Sequence, residues 1–115
     1  MSSDPHLLDH HCAEGAPALT GAAIAALAPR VPHWQVAHGQ RLERRFVFHD
    51  FHETMEFVNA LAWIVHRENH HPELQLGYKH CTVGFTTHSA GNMLSLNDFI
   101  CAARIDALLA GRTQE

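Results

Sequence analysis

A long amphipathic helix between Asp50 and Pro72 constrains the fold more than any other part of this sequence. Asp50 and Glu53 have the spacing of a capping box, which predicts a helix start. Pro72 predicts its end, because the residue before a proline disfavours the helical conformation. Two adjacent apolar stripes run along the helix at steps of three and four residues: Phe51, Met55, Val58, Ala62 and Val65, and then Phe57, Leu61 and Ile64. We expect one side to cover a sheet and the other, near Trp63, to pack on another helix or subunit.

Two pairs of alternating segments predict two β-hairpins. In residues 34–38 and 42–48, apolar or aromatic residues alternate with polar ones. Residues 74–78 and 80–87 show the same alternation farther along the chain. The aromatic side chains of the first hairpin share one face, which we interpret as sheet core. They are Trp34, Phe46 and Phe48.

Two further helices complete the element order. Thr20 is placed as an N-cap and predicts a short helix that runs to about residue 28. Ser95 and Asp98 repeat the capping-box spacing at the start of a last helix. The order helix, two strands, helix, two strands, helix predicts an α+β fold. We expect a two-layer sandwich, with a four-stranded antiparallel sheet carrying three helices on one face.

The chain divides into a short extension and a single domain. Its 115 residues are one domain's worth, and the apolar fraction of 46% is ordinary for a globular protein. Residues 1–17 show no apolar periodicity, so we expect a flexible N-terminal extension. Residues 18–115 then form the single domain.

Charge and cysteine content exclude several classes of protein. A net charge of -4 with only eight Lys and Arg leaves no patch that could neutralise many phosphates, so direct nucleic-acid binding is not expected. The longest strongly apolar run, residues 60–65, is far shorter than a membrane span, and the N-terminus has no secretory pattern. Three cysteines without CxxC spacing argue against a disulfide framework and favour the cytoplasm.

Histidines at the end of the long helix are the candidate chemical groups. His66 and His70 are four residues apart and share a helix face, and His71 follows directly before Pro72. Neighbouring imidazoles can offer a proton donor and an acceptor near neutral pH, which favours acid-base chemistry. The alternatives are a polar helix end stabilised by the helix dipole, and a metal site on the His-x-x-x-His pair. His88 follows the last strand and could face this helix end.

An ordered set of residues resembles a known enzyme family. The run His66-x-x-x-His70-His71-Pro72, then Tyr78, then Thr87-His88 and Asp98, is similar to the signature of pterin-4a-carbinolamine dehydratases. The resemblance extends to Trp34, Leu42-x-Arg44-x-Phe46-x-Phe48-x-x-Phe51 and Leu94-Ser95-x-x-Asp98, and covers residues 18–109.

This resemblance implies a cytoplasmic dehydratase that removes water from a 4a-hydroxytetrahydropterin to give the quinonoid dihydropterin, with no metal and no organic cofactor. It implies that His70, His71 and His88 are catalytic, with His70 and His88 in proton transfer and His71 holding the pterin ring. The implied substrate-binding residues are His66, Asn69, Pro72, Thr87 and Asp98. A homodimer or homotetramer is expected.

Two other functions remain open at this stage. Members of this family can also act as dimerisation partners for a transcription factor, and the second stripe of the long helix would suit such a role. A metal site built from His66, His70 and His88 is the third possibility. His66 stands where many members of the family carry glutamate, and Asn69 stands where some carry aspartate. Because a carboxylate can raise the pKa of a neighbouring imidazole, we expect the pH optimum to differ from that of those members.

Overall fold

The structure is a computed structural model that describes residues 7–110 of the chain. Its base is a four-stranded antiparallel sheet in the order β1-β2-β4-β3. The strands are β1 (Gln35–Ala37), β2 (Arg41–Val47), β3 (Glu73–Leu76) and β4 (His80–Phe85). All four predicted strands end one or two residues earlier than expected. His38 has a positive φ of 57° in the first turn, and Tyr78 lies in the turn between β3 and β4.

Three α-helices complete the architecture, which confirms the predicted α+β sandwich. They are α1 (Gly21–Leu27), α2 (Phe51–Glu68) and α3 (Leu96–Leu108). The hydroxyl of Thr20 caps α1, the carboxylate of Asp50 caps α2, and Ser95 with Asp98 forms a complete capping box on α3. These caps are local in sequence, which is why the helix starts could be predicted.

The hydrophobic core lies between the sheet and the helices. Register pairs Leu42 with Phe85 and Phe46 with Cys81, so the buried side chains of β2 and β4 alternate onto one face. Trp34 is also buried, and its indole N–H donates to Asp106 on α3 at 2.9 Å. The interpretation of Trp34, Phe46 and Phe48 as core is therefore confirmed.

Helix α2 buries one stripe that differs from the two predicted ones. Its buried residues are Thr54, Phe57, Leu61, Val65 and Glu68. Phe51 and Trp63 are exposed instead, Trp63 by 64%. The stripe takes Val65 from the first predicted set and Phe57 and Leu61 from the second, and it ends on the carboxylate of Glu68. Among residues 7–110, no helix is both long and apolar enough to span a membrane.

The described part of the N-terminal segment, residues 7–17, has defined contacts with α2 and α3. Leu7 is buried in the core, and Cys12 packs against it. The guanidinium of Arg104 on α3 donates to the carbonyl of His10 at 2.6 Å. The predicted flexibility of residues 1–17 stays a prediction, and residues 1–6 lie outside the described residues.

Candidate active site

The end of α2 places the histidines through a left-handed turn. Asn69 is the C-cap residue with φ 53°, and its N–H donates to the carbonyls of His66 and Val65. Asparagine tolerates this conformation better than most residues, because its short polar side chain can bond locally. The turn ends the helix, so that His70 and His71 leave its axis and face the loop that follows β4.

A cavity of about 610 Å³ lies at this end of the fold. Its walls come from the end of α2 and the turn after it, from residues 86–89, from residues 12–15, and from the first turn of α3. Six of the residues implied by the resemblance line it. They are Asn69, His70, His71, Pro72, Thr87 and His88.

His70 is fixed by two contacts, one at the edge of its ring and one on a face. Its Nε2–H donates to Oδ1 of Asp98 at 2.6 Å. Its ring stacks on Phe85, with centroids 5.7 Å apart and planes 8° from parallel. A carboxylate partner fixes the tautomer of an imidazole and stabilises its protonated form. His70 is thereby oriented, and no hydrogen bond with a described residue occupies its Nδ1.

Asp98 lies beneath the cavity and is fully buried. Its Oδ2 accepts from the backbone N–H of Ser95 at 2.9 Å and from the hydroxyl of Thr87 at 2.8 Å. The hydroxyls of Thr87 and Ser95 are 2.7 Å apart, which continues the hydrogen-bonded chain. A buried carboxylate needs such partners, since desolvation of an unpaired one is very costly. Asp98 therefore supports His70 from inside the protein.

His88 is an exposed lining residue of the cavity, in a short 3-10 turn (His88–Ala90). Its Nδ1–H donates to Oδ1 of Asn92 at 2.7 Å. Gly91 and Asn92 both have positive φ, 74° and 62°, which lets the loop turn back so that this bond can form. The bond fixes the ring orientation, and no hydrogen bond with residues 7–110 involves the Nε2 atom.

His71 and His66 form an exposed edge-to-face pair, with ring centroids 6.3 Å apart. Only His71 of the two lines the cavity. Asp98 and His66 are therefore the two predicted substrate-binding residues that do not reach the cavity wall: one lies under His70 and the other beside His71.

Sequence reasoning missed several parts of this site, among them Glu68, Asn97 and residues 12–15. Glu68 had a detectable signal, since it lies three residues after Val65 on the stripe that α2 buries. Burial by itself raises the pKa of the Glu68 carboxyl, but hydrogen bonds from the Cys12 N–H and from His11, with the charge of Arg104, hold that pKa below its ordinary value. The carboxylate accepts from the Cys12 N–H at 2.7 Å and lies 2.9 Å from the His11 ring.

The described residues contain no group of three or more His, Cys, Asp or Glu side chains that could hold a metal ion. The metal alternative thus has no donor set in this part of the chain. Another cavity, of about 720 Å³, lies between Leu7, Arg30 and α3, and no histidine lines it. Of these two cavities, the one that His70, His71 and His88 line is therefore the candidate for acid-base chemistry.

Comparisons with known proteins agree on one family. The model of the family described as pterin 4 alpha carbinolamine dehydratase matches residues 17–108. A protein of Dechloromonas aromatica (strain RCB), provisionally named as a pterin-4-alpha-carbinolamine dehydratase, is 45% identical over 112 residues, which cover 95% of this chain and 98% of that one. A protein of Stenotrophomonas maltophilia (strain K279a) with the same provisional name is 53% identical over 88 residues, 76% of this chain and 75% of that one.

Two solved structures are also similar. A protein described as a transcriptional coactivator/pterin dehydratase from Brucella melitensis superposes with a TM-score of 0.74 at 27% identity, covering 79% of this chain and 97% of that one. A protein described as a pterin dehydratase-like RuBisCO assembly factor of the alpha-carboxysome gives a TM-score of 0.53 at 26% identity, covering 65% of this chain and 84% of that one.

Proposed function

The chain belongs to the pterin-4-alpha-carbinolamine dehydratase family, and from this premise we propose that it is a hydro-lyase acting on a 4a-hydroxytetrahydropterin by histidine acid-base catalysis. The product is the quinonoid dihydropterin. The observation that carries the proposal is the meeting of His70, His71 and His88 around one cavity. The reaction requires no metal and no organic cofactor.

The dehydration needs two proton transfers. The C4a–O bond breaks and a C4a=N5 double bond forms, while the N5 proton leaves and the departing hydroxyl takes up a proton, so that one water molecule is released. A positioned imidazole contributes typically about 10²- to 10⁴-fold to such a transfer. Two imidazoles that line the same cavity can therefore serve the two proton transfers of the reaction.

His70 and His88 are the proposed proton-transfer pair. Each has one ring nitrogen held by the protein, on Asp98 and on Asn92, and each keeps the other nitrogen for the substrate. Each can thus give a proton or take one. His71 is proposed to hold the pterin ring, since it lines the cavity without a comparable hydrogen bond that would commit its ring.

The remaining predicted residues have proposed supporting roles. Asn69, Pro72 and Thr87 line the cavity and would contact the substrate. Asp98 is buried under His70, so we assign it as a positioning residue that acts through that imidazole. His66 would act through its ring contact with His71.

The test is a dehydration assay with wild type and His70→Ala side by side. The substrate is generated in situ, and its loss is followed above the spontaneous rate. We expect wild type to accelerate the reaction and His70→Ala to lose about 10²-fold or more in kcat. His52→Gln, which changes an exposed histidine near the start of α2, is the matched control and should keep wild-type kinetics. A folded wild type without acceleration, or an active His70→Ala, would overturn the proposal.

A second candidate is a role in protein interaction, with the exposed side of α2 as the contact surface. Trp63 is 64% exposed there, and the guanidinium of Arg67 lies 4.9 Å from its ring centroid. The names of the two similar structures refer to coactivation and to assembly in those proteins. The same surface would serve the proposed homodimer or homotetramer. We also propose a cytoplasmic location, which the three free cysteines support.

A further inference from the structure

Residues 12–15 form one wall of the histidine cavity, although they are far from the other walls in sequence. Cys12, Ala13, Glu14 and Gly15 all line it, opposite the turn that carries His70 and His71. Gly15 has φ 76°, a conformation that turns the chain away before α1 begins. The cavity is thus bounded in part by a segment that precedes α1 and all four strands of the sheet in chain order.

Asn97 holds this wall on α3 through a reciprocal pair of hydrogen bonds. Its Oδ1 accepts from the N–H of Ala13 at 3.0 Å, and its Nδ2 donates to the carbonyl of Ala13 at 2.9 Å. Only 7% of Asn97 is exposed. A side-chain amide that bonds both backbone groups of one residue fixes the position of that residue, because neither bond can be kept if the segment shifts.

Glu68 holds the same wall on α2. Its buried carboxylate accepts from the N–H of Cys12 at 2.7 Å, a charge-assisted hydrogen bond of the stronger kind. The thiol of Cys12 also lies 3.5 Å from the thiol of Cys101, a buried residue of α3. Two helices therefore hold the segment at adjacent residues.

We propose that residues 12–15, held by Asn97 and Glu68, are a substrate-binding wall that determines the affinity of the site for its pterin. The inference rests on the proposed function. It assigns to the N-terminal segment a part in binding that the histidine motif does not contain.

The effect should fall on KM and not on kcat. His70 is held by Asp98 and Phe85, and His88 is held by Asn92, so none of these supports comes from residues 12–15. Loss of the wall would open one side of the cavity to water and remove contacts that are equal in the ground and transition states. Such a loss of uniform binding raises KM and leaves kcat unchanged.

Two variants test the wall in the dehydration assay. One variant lacks residues 2–15. The other is Asn97→Ala, which removes the two hydrogen bonds to Ala13 and keeps residues 12–15. We expect KM to rise about tenfold in each, with kcat within about twofold of wild type. Asn59→Ala, at an exposed asparagine of α2, is the matched control and should leave both constants unchanged. Circular dichroism checks that each variant is folded, and Asn97→Ala keeps the test valid if the deletion does not fold.

A disulfide between Cys12 and Cys101 distinguishes an effect of displacing residues 12–15 from an effect of general loss of structure. In Asn97→Ala, oxidation by diamide would join Cys12 to Cys101, with the two thiols giving two electrons and two protons to the azo group, which becomes a hydrazine. The bond ties the segment back to α3, so KM should return to near the wild-type value. Asn97→Ala with Cys12→Ser should not respond to the oxidant.

The outcomes distinguish this inference from the proposed function. Wild type without turnover overturns the function and the inference together. Turnover by wild type with an unchanged KM in both variants overturns the inference alone, as does a kcat that falls with KM unchanged. A mapped Cys12–Cys101 bond that leaves the raised KM of Asn97→Ala unaltered also overturns it.

Discussion

At the scale of single residues, Asp98 connects the stability of α3 to the position of His70. One carboxylate oxygen accepts from the capped N-terminus of the helix, and the other accepts from the imidazole. The group is fully buried, so both bonds form away from water, where hydrogen bonds to a charge are strong.

Asp98→Asn should therefore impair catalysis and stability together. The amide offers an N–H where His70 now donates its own, which favours the wrong tautomer of the imidazole. We expect kcat to fall by about 10²-fold or more, and the free energy of unfolding to fall by about 1–3 kcal/mol. Steady-state kinetics and urea unfolding measure the two effects.

Asp106→Asn is the matched control for this substitution. Asp106 is also on α3 and accepts from Trp34 and Arg44, but it lies outside the histidine cavity. It should lose stability and keep kcat. If Asp98→Asn behaved in the same way, Asp98 would have no role through His70.

Asn69 offers a second residue-scale prediction, because its φ of 53° is unfavourable for most side chains. Asn69→Ala should destabilise the protein by about 1 kcal/mol, since a Cβ without a local hydrogen bond is strained there. Asn69→Gly should leave the free energy of unfolding almost unchanged, because glycine adopts positive φ without strain. Urea unfolding of wild type and of the two variants measures these differences in the free energy of unfolding. An alanine variant as stable as the glycine variant would contradict the prediction.

The sequence predicted the histidines of the candidate site, but not the buried residues that hold them in position. His70, His71 and His88 were identified from a resemblance in their order along the chain, and the fold brings them to one cavity. That Asp98 lies under His70 could not be read from the sequence, because it depends on how the first turn of α3 packs against the end of β4. Capping-box spacing predicted only its local bond to Ser95.

At the scale of elements, the contact between the N-terminal segment and α2 depends on the charge of Glu68. The pKa of this carboxyl is lower in the folded protein than its ordinary value of 4.5. Folding is therefore favoured by its ionised form. This contribution is fully present above about pH 4.5 and is lost as pH falls through the lower, folded value.

Glu68→Gln should flatten this part of the stability profile. Wild type should lose free energy of unfolding from pH 5 downward, and the variant should lose less over the same interval, although it is less stable at pH 7 by about 1–3 kcal/mol. Urea unfolding at a series of pH values measures both. Glu56→Gln, at an exposed position of the same helix, should follow wild type. Parallel profiles for Glu68→Gln and wild type would refute the assignment.

The elements were predictable where their signals are local. Asp50 and Ser95 mark the starts of α2 and α3 through neighbours a few residues away, and hairpin alternation indicated the strands. The end of α2 comes earlier than Pro72 predicts, at Glu68, because Asn69 adopts the left-handed conformation. The place of residues 7–17 could not be predicted, since it depends on backbone groups of Cys12 and Ala13 bonding to side chains more than fifty residues away. Backbone donors and acceptors are the same at every residue, so they leave no pattern in the sequence.

At the scale of the whole molecule, the exposed Trp63 side of α2 is the surface on which the proposed self-association can be tested. Trp63→Glu places a charge on this surface, and burying that charge in an interface would be costly. We expect light scattering to show a multiple of 12.8 kDa for wild type and a smaller mass for Trp63→Glu. Ala25→Glu, at an exposed site of α1, should keep the wild-type mass. A monomeric wild type would contradict the proposed oligomer.

The two hydrogen bonds of Asp98, one to the N-terminus of α3 and one to His70, have a consequence for the evolution of such proteins. On the proposed mechanism, replacing His70 removes a proton-transfer group and leaves the cap of α3 in place, whereas replacing Asp98 removes both the cap and the support of His70. We therefore expect a relative that has lost the dehydratase activity but retains the fold to lose the histidine before the aspartate. Proteins descended from such an enzyme would then carry an aspartate at the position of Asp98 and no histidine at the position of His70.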